Sequence, residues 1–208
     1  LLTVGDRPIL EHVLTRLEDA GVQEVFISLH YLGAQIRDYV AVRESRAQIR
    51  FIEEQDPLGT AGALSLLPEH SGGPVLVVNG DVITTADLPA LFEFHSRQSL
   101  DATIGVTPYE VDVPFGVVRI GKNGLLSGIE EKPRITEFVA AGVYLLEASM
   151  LSLVSRGRRL DMPELLQRGT EIGQRIGVFP IHEYWVDVGR KTDLKRADGD
   201  HSDADNTG

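Results

Sequence analysis

The sequence predicts an α/β protein in which a mixed central sheet is flanked by helices. Two observations carry this. Over residues 8–91, short apolar runs alternate with longer segments whose apolar residues recur at helical spacing, the order of a parallel sheet covered on both faces. From Asp101 the rhythm changes to short strands separated by turns, which predicts antiparallel strands extending that sheet.

After Pro8, the residues Ile9, Leu10, Val13, Leu14 and Leu17 share one helical face, and Gly21 ends that helix before the strand "EVFISL", Glu24 to Leu29. A second helix through Ile36, Tyr39 and Val40 precedes the strand "IRFIEE", Ile49 to Glu54, and "GTAGALSLL", Gly59 to Leu67, opens a third helix. Val75 to Val78 read as a buried strand that runs into Asn79-Gly80-Asp81, with the next helix expected near Thr85. Next come the strands "DATIGVTPY", "FGVVRI" and "LLSGIEEK", the last two joined by the hairpin signal Gly121-Lys122-Asn123-Gly124. A strand at Val139 to Leu146, short helices at Ala148 to Ser155 and Met162 to Gly169, and strands at Ile176 to Pro180 and Tyr184 to Val188 complete the series. Residues 197–208, "ADGDHSDADNTG", are polar and acidic and read as a disordered tail, which leaves residues 1–196 as one domain.

Composition narrows the function. The 208 residues are 42% hydrophobic and 25% charged, ordinary values for a globular domain, and no apolar run approaches the ~18 residues of a membrane-spanning helix. A formal net charge of -11 argues against general affinity for nucleic acid or anionic membranes, while leaving room for a local basic pocket. The absence of cysteine excludes disulfides and thiolate metal sites and fits a reducing compartment such as the cytoplasm, though it is compatible with other compartments too. The chain opens on Leu1 rather than Met, so a segment upstream is expected.

Four segments can carry chemistry. Asp81 stands at the carboxyl end of its strand, the edge where open α/β sheets bind ligands, although an aspartate there also caps turns and helices. Asp187, in "YWVDVG", repeats the arrangement and has the same alternative. Two strand-end aspartates on one edge would suit Mg²⁺, which binds through one or two carboxylates plus phosphate oxygens and water. "QDPLGTAGAL", Gln55 to Leu64, places Gly59, Thr60 and Gly62 at a helix start, where exposed amides admit a flat or anionic ligand; taken alone, the segment reads more readily as an ordinary turn with Thr60 as helix cap. In "GIEEKPR", Lys132 can hold a phosphate or simply be a solvated strand end. The histidines, His12, His30, His70, His95, His182 and His201, show no ligand spacing.

Taken in order, "GDRPILEHVLTRL", "PLGTAGAL", "VVNGDV", "FGVV", "EEKP", "AAGVYLL" and "YWVDVGRKTDLKRA" resemble the sugar-phosphate nucleotidyltransferases, or nucleotide-sugar pyrophosphorylases, over nearly the whole chain. The glycine segment and the C-terminal motif resemble mannose-1-phosphate guanylyltransferase-like members in particular, including those of the nonulosonic-acid pathways. The resemblance implies a Rossmann-like (GT-A-like) fold and transfer of a nucleoside monophosphate from a nucleoside triphosphate to a sugar-1-phosphate. GTP with a mannose-like sugar is favoured, and a homo-oligomer is left open. It also implies roles. Asp81 and Asp187 would hold Mg²⁺, and Lys132 would act with them in catalysis. Gln55, Gly59, Thr60 and Gly80 would line the nucleotide, and Gly116, Glu131, Gly142 and Tyr144 the sugar.

Two departures from the family pattern stand out. The family's first strand and its Gly-Gly-x-Gly-Thr-Arg-type phosphate loop belong just before Leu1 and are not in this chain. Ala140 stands where many members carry an asparagine that contacts sugar hydroxyls, so sugar discrimination is expected to differ. These departures motivate a second reading, a nucleotide-sugar-binding or regulatory module without catalysis. A glycosyltransferase fits less well, because the metal-binding Asp-x-Asp spacing occurs only in the tail, at Asp198 and Asp200 and at Asp203 and Asp205.

Overall fold

The computed structural model describes residues 1–68 and 72–189. The tail, with its aspartate pairs, and His70 and His201 lie outside those residues. Thr3–Val4 (β1) and Arg7–Pro8 (β2) form a tight hairpin that leads into the helix Ile9–Asp19 (α1). Gly21, at φ +83°, turns the chain out of α1 in a conformation that favours glycine. Glu24–Leu29 (β3), Gly33–Val42 (α2) and Gln48–Glu53 (β4) follow as a βαβ unit with β3 and β4 parallel. The third helix is shorter than the sequence predicts: Gly59–Gly62 (α3) is α-helical, and Ala63–Leu66 tightens into a 3₁₀ turn.

The strand Val75–Val78 (β5) lies where the apolar run places it, half-buried rather than buried. After Asp81 the structure differs from expectation. Val82–Thr84 is a short strand (β6) paired with Trp185–Asp187 (β12), and the next helix, Leu88–Arg97 (α4), begins only after Asp87, whose carboxylate accepts the Ala90 N–H at 2.9 Å. The ladder to β12 crosses about a hundred residues, a distance local patterning does not register.

Ala102–Asp112 (β7), Val117–Ile120 (β8), Leu126–Glu130 (β9) and Arg134–Leu146 (β10) come next, then Ala148–Leu151 (α5), Met162–Glu171 (α6) and Ile176–Pro180 (β11). The largest sheet has the order β11-β7-β10-β5 and is mixed, with β11 parallel to β7 and the other pairs antiparallel. Two expectations need correction. The first half is not one parallel sheet: β3–β4 is a separate pair, and β5 pairs with β10 instead. Nor does every later strand extend the sheet, because β7 and β10 pair with each other and leave the β8–β9 hairpin between them as its own ribbon.

Alternation along β10 builds two cores. Val143 and Leu145 face one cluster with α1, β3 and α4, and Tyr144 and Leu146 face another with α3, α5 and α6. The helices thus cover both faces. None of the described helices is long and apolar enough to cross a membrane.

Beside the first core lies a buried ionic knot. The Arg43 guanidinium donates to Glu11 and to Glu18 at 2.7 Å each, Tyr39 donates its hydroxyl to Glu11 at 2.6 Å, and Glu18 also accepts the Arg46 amide at 3.0 Å. Hydrogen bonding from Arg43 pulls the Glu18 carboxyl down to about 2, against its burial. This ties α1 to α2 and the turn before β4. Because the folded value lies below the ordinary glutamate value, the stabilisation is present above about pH 4.5 and fades as pH falls toward 2. Glu18→Gln is expected to lower stability by about 3 kcal/mol at pH 7. Urea titrations across pH should show that deficit shrinking below pH 4.5, and a pH-independent difference would refute the ionic origin.

Candidate active site

The two aspartates converge. β5 ends at Val78, and in the turn that follows the Asn79 N–H donates to the Gly142 carbonyl at 2.8 Å. Gly142 has φ +71°, and a Cβ there would lie 2.9 Å from a Val82 methyl and 3.0 Å from the Asn79 amide nitrogen. A side chain would push β10 off the turn, so glycine is required where the register of β10 breaks, between Ala140 and Tyr144. The ladder of β6 with β12 sets Asp187 opposite Val82, and the Val188 N–H donates to the Asp81 carbonyl at 2.9 Å. Both carboxylates consequently border Gly189: a Cβ there would lie 3.0 Å from Asp187 Oδ1 and 3.2 Å from Asp81 Oδ2.

Among the described residues neither aspartate has an ion-pair partner. Asp81 is on the surface, yet its surroundings strip hydration from it, and that desolvation, followed by repulsion from Asp187, raises its pKa. Asp187 Oδ1 accepts the Gly189 N–H at 2.8 Å, and two carboxylates with no cation beside them among the described residues fit a hard divalent cation. No group of three or more potential metal-ligating side chains occurs among the described residues, so the rest of such a coordination shell would come from substrate and water.

Gln55 is exposed just beyond the carboxyl end of β4. The amides after Gly59 are not open to an anion, as the sequence suggested. Thr60 N–H donates to Asp161 Oδ1 at 3.1 Å, and Ala61 and Gly62 donate to the Leu160 carbonyl at 2.9 and 3.0 Å. Nor does Thr60 cap its own helix: its hydroxyl accepts the Met162 N–H at 2.7 Å. Gly59, at φ +76°, is needed because a Cβ would meet Asp161 and would lie 2.8 Å from the Leu160 carbonyl.

The third group sits where the β8–β9 ribbon joins the sheet. Lys132 N–H donates to the Phe115 carbonyl at 3.3 Å, and a Cβ on Gly116 would lie 3.0 Å from Glu131 Oε2, so Gly116, Glu131 and Lys132 are neighbours. Lys132 holds φ +47°, a left-handed conformation costing roughly 1 kcal/mol in a non-glycine residue. Its ammonium makes no ion pair among the described residues, and no hydrogen bond joins it to either aspartate. Gly80 is exposed in the turn before Asp81, and Ala140 is exposed beside the β10 bulge. Tyr144 is only 4% exposed and packs in the core cluster that contains Ala61 of α3, so its ring supports the glycine segment from behind.

The sequence reading did not single out Asp161 or Asn79. Asp161, just before Met162-Pro163, carries a helix-cap signal that conceals its bond to Thr60; Asn79 was visible only as a turn residue.

Residues 1–203 match the family described as nucleotidyl transferase. The chain is 29% identical over 205 residues to the mannose-1-phosphate guanylyltransferase catalytic subunit beta of Drosophila melanogaster, covering 93% of this chain and 54% of that protein. It is 31% identical over 209 residues to mannose-1-phosphate guanyltransferase of Yarrowia lipolytica, covering 93% of this chain and 55% of that protein. The chain thus spans about half the length of these curated relatives. Among solved structures, HddC from Yersinia pseudotuberculosis complexed with GMP-PN superposes with a TM-score of 0.71 at 24% identity, over 96% of this chain and 88% of that one. A UDP-glucose pyrophosphorylase from Acinetobacter baumanii gives 0.70 at 19% identity, over 94% and 82%. These last two likenesses bear on the fold, which is the Rossmann-like mixed α/β architecture expected. By the match over residues 1–203, the chain belongs to the nucleotidyl transferase family.

Proposed function

We propose that this chain forms the catalytic domain of a sugar-1-phosphate nucleotidyltransferase that transfers GMP from GTP to a mannose-like sugar-1-phosphate. The observation that carries the reading is the convergence of Asp81 and Asp187, without a counter-ion among the described residues, at the carboxyl end of β5. The names of the relatives support the choice of guanine and mannose. A phosphate oxygen of the sugar-1-phosphate attacks the α-phosphorus, the bond from that phosphorus to the bridging oxygen breaks, and pyrophosphate leaves with the electron pair. The nucleophile is already anionic near neutral pH, so the protein's work is in-line positioning and charge neutralisation. Asp81 and Asp187 would hold Mg²⁺, which would supply positive charge to the triphosphate. Lys132, an ammonium with no carboxylate paired to it among the described residues, takes the sugar phosphate, with Gly116, Glu131 and Gly142 around the sugar; Tyr144, expected to line the sugar, is a core residue that can only back that wall. Gln55, Gly59, Thr60 and Gly80 take the nucleotide. The resemblance places a first strand and phosphate loop ahead of Leu1, and we include them in the functional unit.

The test is Mg²⁺-dependent pyrophosphate release by a chain extended upstream through that loop, with nucleoside triphosphates crossed against sugar-1-phosphates. GTP with mannose-1-phosphate is expected to turn over fastest, and Asp81→Asn or Asp187→Asn to lower kcat at least about 100-fold. Undiminished turnover in both variants overturns the metal assignment. GTP binding without any turnover of its precursors favours the binding-module reading instead.

A second prediction follows from the charge pair. The raised pKa of Asp81 means the folded state holds its proton longer than the unfolded state, so stability falls as pH rises above the ordinary aspartate range near 4. Without metal, Asp81→Asn should melt at or above the wild-type temperature at pH 7. Mg²⁺ should raise the melting temperature of the wild type and leave that of the variant unchanged. A variant that melts lower and still responds to Mg²⁺ contradicts the assignment.

A further inference from the structure

Asp161 occupies the N-cap position of α6, yet its carboxylate makes no hydrogen bond to the first turn of α6. It instead accepts the Thr60 N–H at 3.1 Å, in the first turn of α3 and 101 residues away in sequence. The cap that Asp161 does not supply comes back from Thr60, whose hydroxyl accepts the Met162 N–H, the first amide of α6, at 2.7 Å. Each helix start is therefore held by a side chain of the other. The backbone reinforces the exchange: Leu160 N–H donates to the Leu58 carbonyl at 2.8 Å, and the Leu160 carbonyl accepts from Ala61 and Gly62.

This matters because α3 is a single turn of four residues and too short to hold an orientation by itself. Gly59 lets the two segments approach this closely, and the buried Tyr144 and Ala61 close the far side. Nothing else among the described hydrogen bonds fixes the Thr60 amide. We infer that Asp161 is a positioning residue for the nucleotide: through the Thr60 N–H it sets the Gly59–Thr60 backbone against which the base is read. The inference rests on the function proposed above. Asp161 touches no reacting atom in this scheme, so its removal should weaken nucleotide recognition and spare the transfer step.

In the loop-bearing chain, Asp161→Ala is expected to raise the KM for GTP about tenfold, equivalent to ~1.4 kcal/mol. It should narrow the preference for GTP over UTP, with kcat and the KM for mannose-1-phosphate within about twofold of wild type. Asp161→Asn keeps an acceptor oxygen on the same side-chain frame and should recover most of the loss. An equal fall in kcat and both KM values, or an asparagine variant no better than alanine, overturns the inference. A wild-type chain with neither GTP affinity nor turnover overturns the functional reading instead. A measurement independent of activity accompanies these: amide hydrogen exchange in the 208-residue chain. Asp161→Ala should speed exchange at Thr60 through Gly62 by about tenfold or more while β10 amides are unchanged. Unchanged protection of those three amides defeats the positioning role even if catalysis suffers.

Discussion

The pairing of β10 with its neighbours on both sides is the constraint on which the rest of the molecule depends. Over Arg134–Leu146 this strand pairs with β7 along most of its length and with β5 at its carboxyl end. Its alternate side chains enter two different cores, so the helices of both faces are referenced to a single backbone. The one place where its register breaks is Gly142, whose carbonyl receives Asn79 and so fixes the turn bearing Asp81. A bulge in a strand this well anchored orients a functional turn without loosening the sheet.

The aspartate pair shows how the fold tolerates an unfavourable arrangement. Two carboxylates bordering one glycine repel each other, and neither has a cation beside it among the described residues. They stay together because the β6–β12 ladder and the Val188–Asp81 hydrogen bond hold their backbones, contacts that do not weaken when the side chains ionise. The contrast is Glu18, which is nearly inaccessible and yet easily ionised because Arg43 faces it. Glu18 is satisfied within the protein and knits helices together; the aspartate pair has no such partner among the described residues.

Local chemistry explains what the sequence disclosed. β3, β5 and β11 fall within a residue of their apolar runs, and α1 starts after Pro8 and stops before Gly21, because these boundaries are set by burial and by backbone preferences that single residues carry. Asp81 and Asp187 were legible as strand-end carboxylates for the same reason. Their meeting was not, since it needs the β6–β12 ladder, and β6 itself is three residues long, in a stretch read only as the approach to a helix near Thr85. The turn at Gly121 to Gly124 did announce the pairing of β8 with β9, but the separation of that ribbon and of the β3–β4 pair from the main sheet escaped for a related reason: an apolar strand announces that it will be buried, not which sheet it will join.

The three parts of the site are restrained by three kinds of force, and this orders how firmly each is held. The aspartates hang from a ladder within the core. The glycine segment depends on a few polar bonds to the start of α6, which are short but partly exposed, so water competes for them. Lys132 depends on least: its left-handed backbone is held by a 3.3 Å bond to Phe115, at the foot of a two-stranded ribbon whose residues Val118, Ile120, Leu126 and Ile129 are each more than half exposed. A two-stranded ribbon has little stability of its own in water. In phosphoryl chemistry the α-phosphorus must be held in line, whereas a lysine acting as a point charge tolerates displacement better than a geometric clamp does. The gradient of restraint therefore matches the gradient of geometric demand in the proposed reaction, with rigidity greatest where the proposed metal would sit and least at the ammonium proposed to take the sugar phosphate.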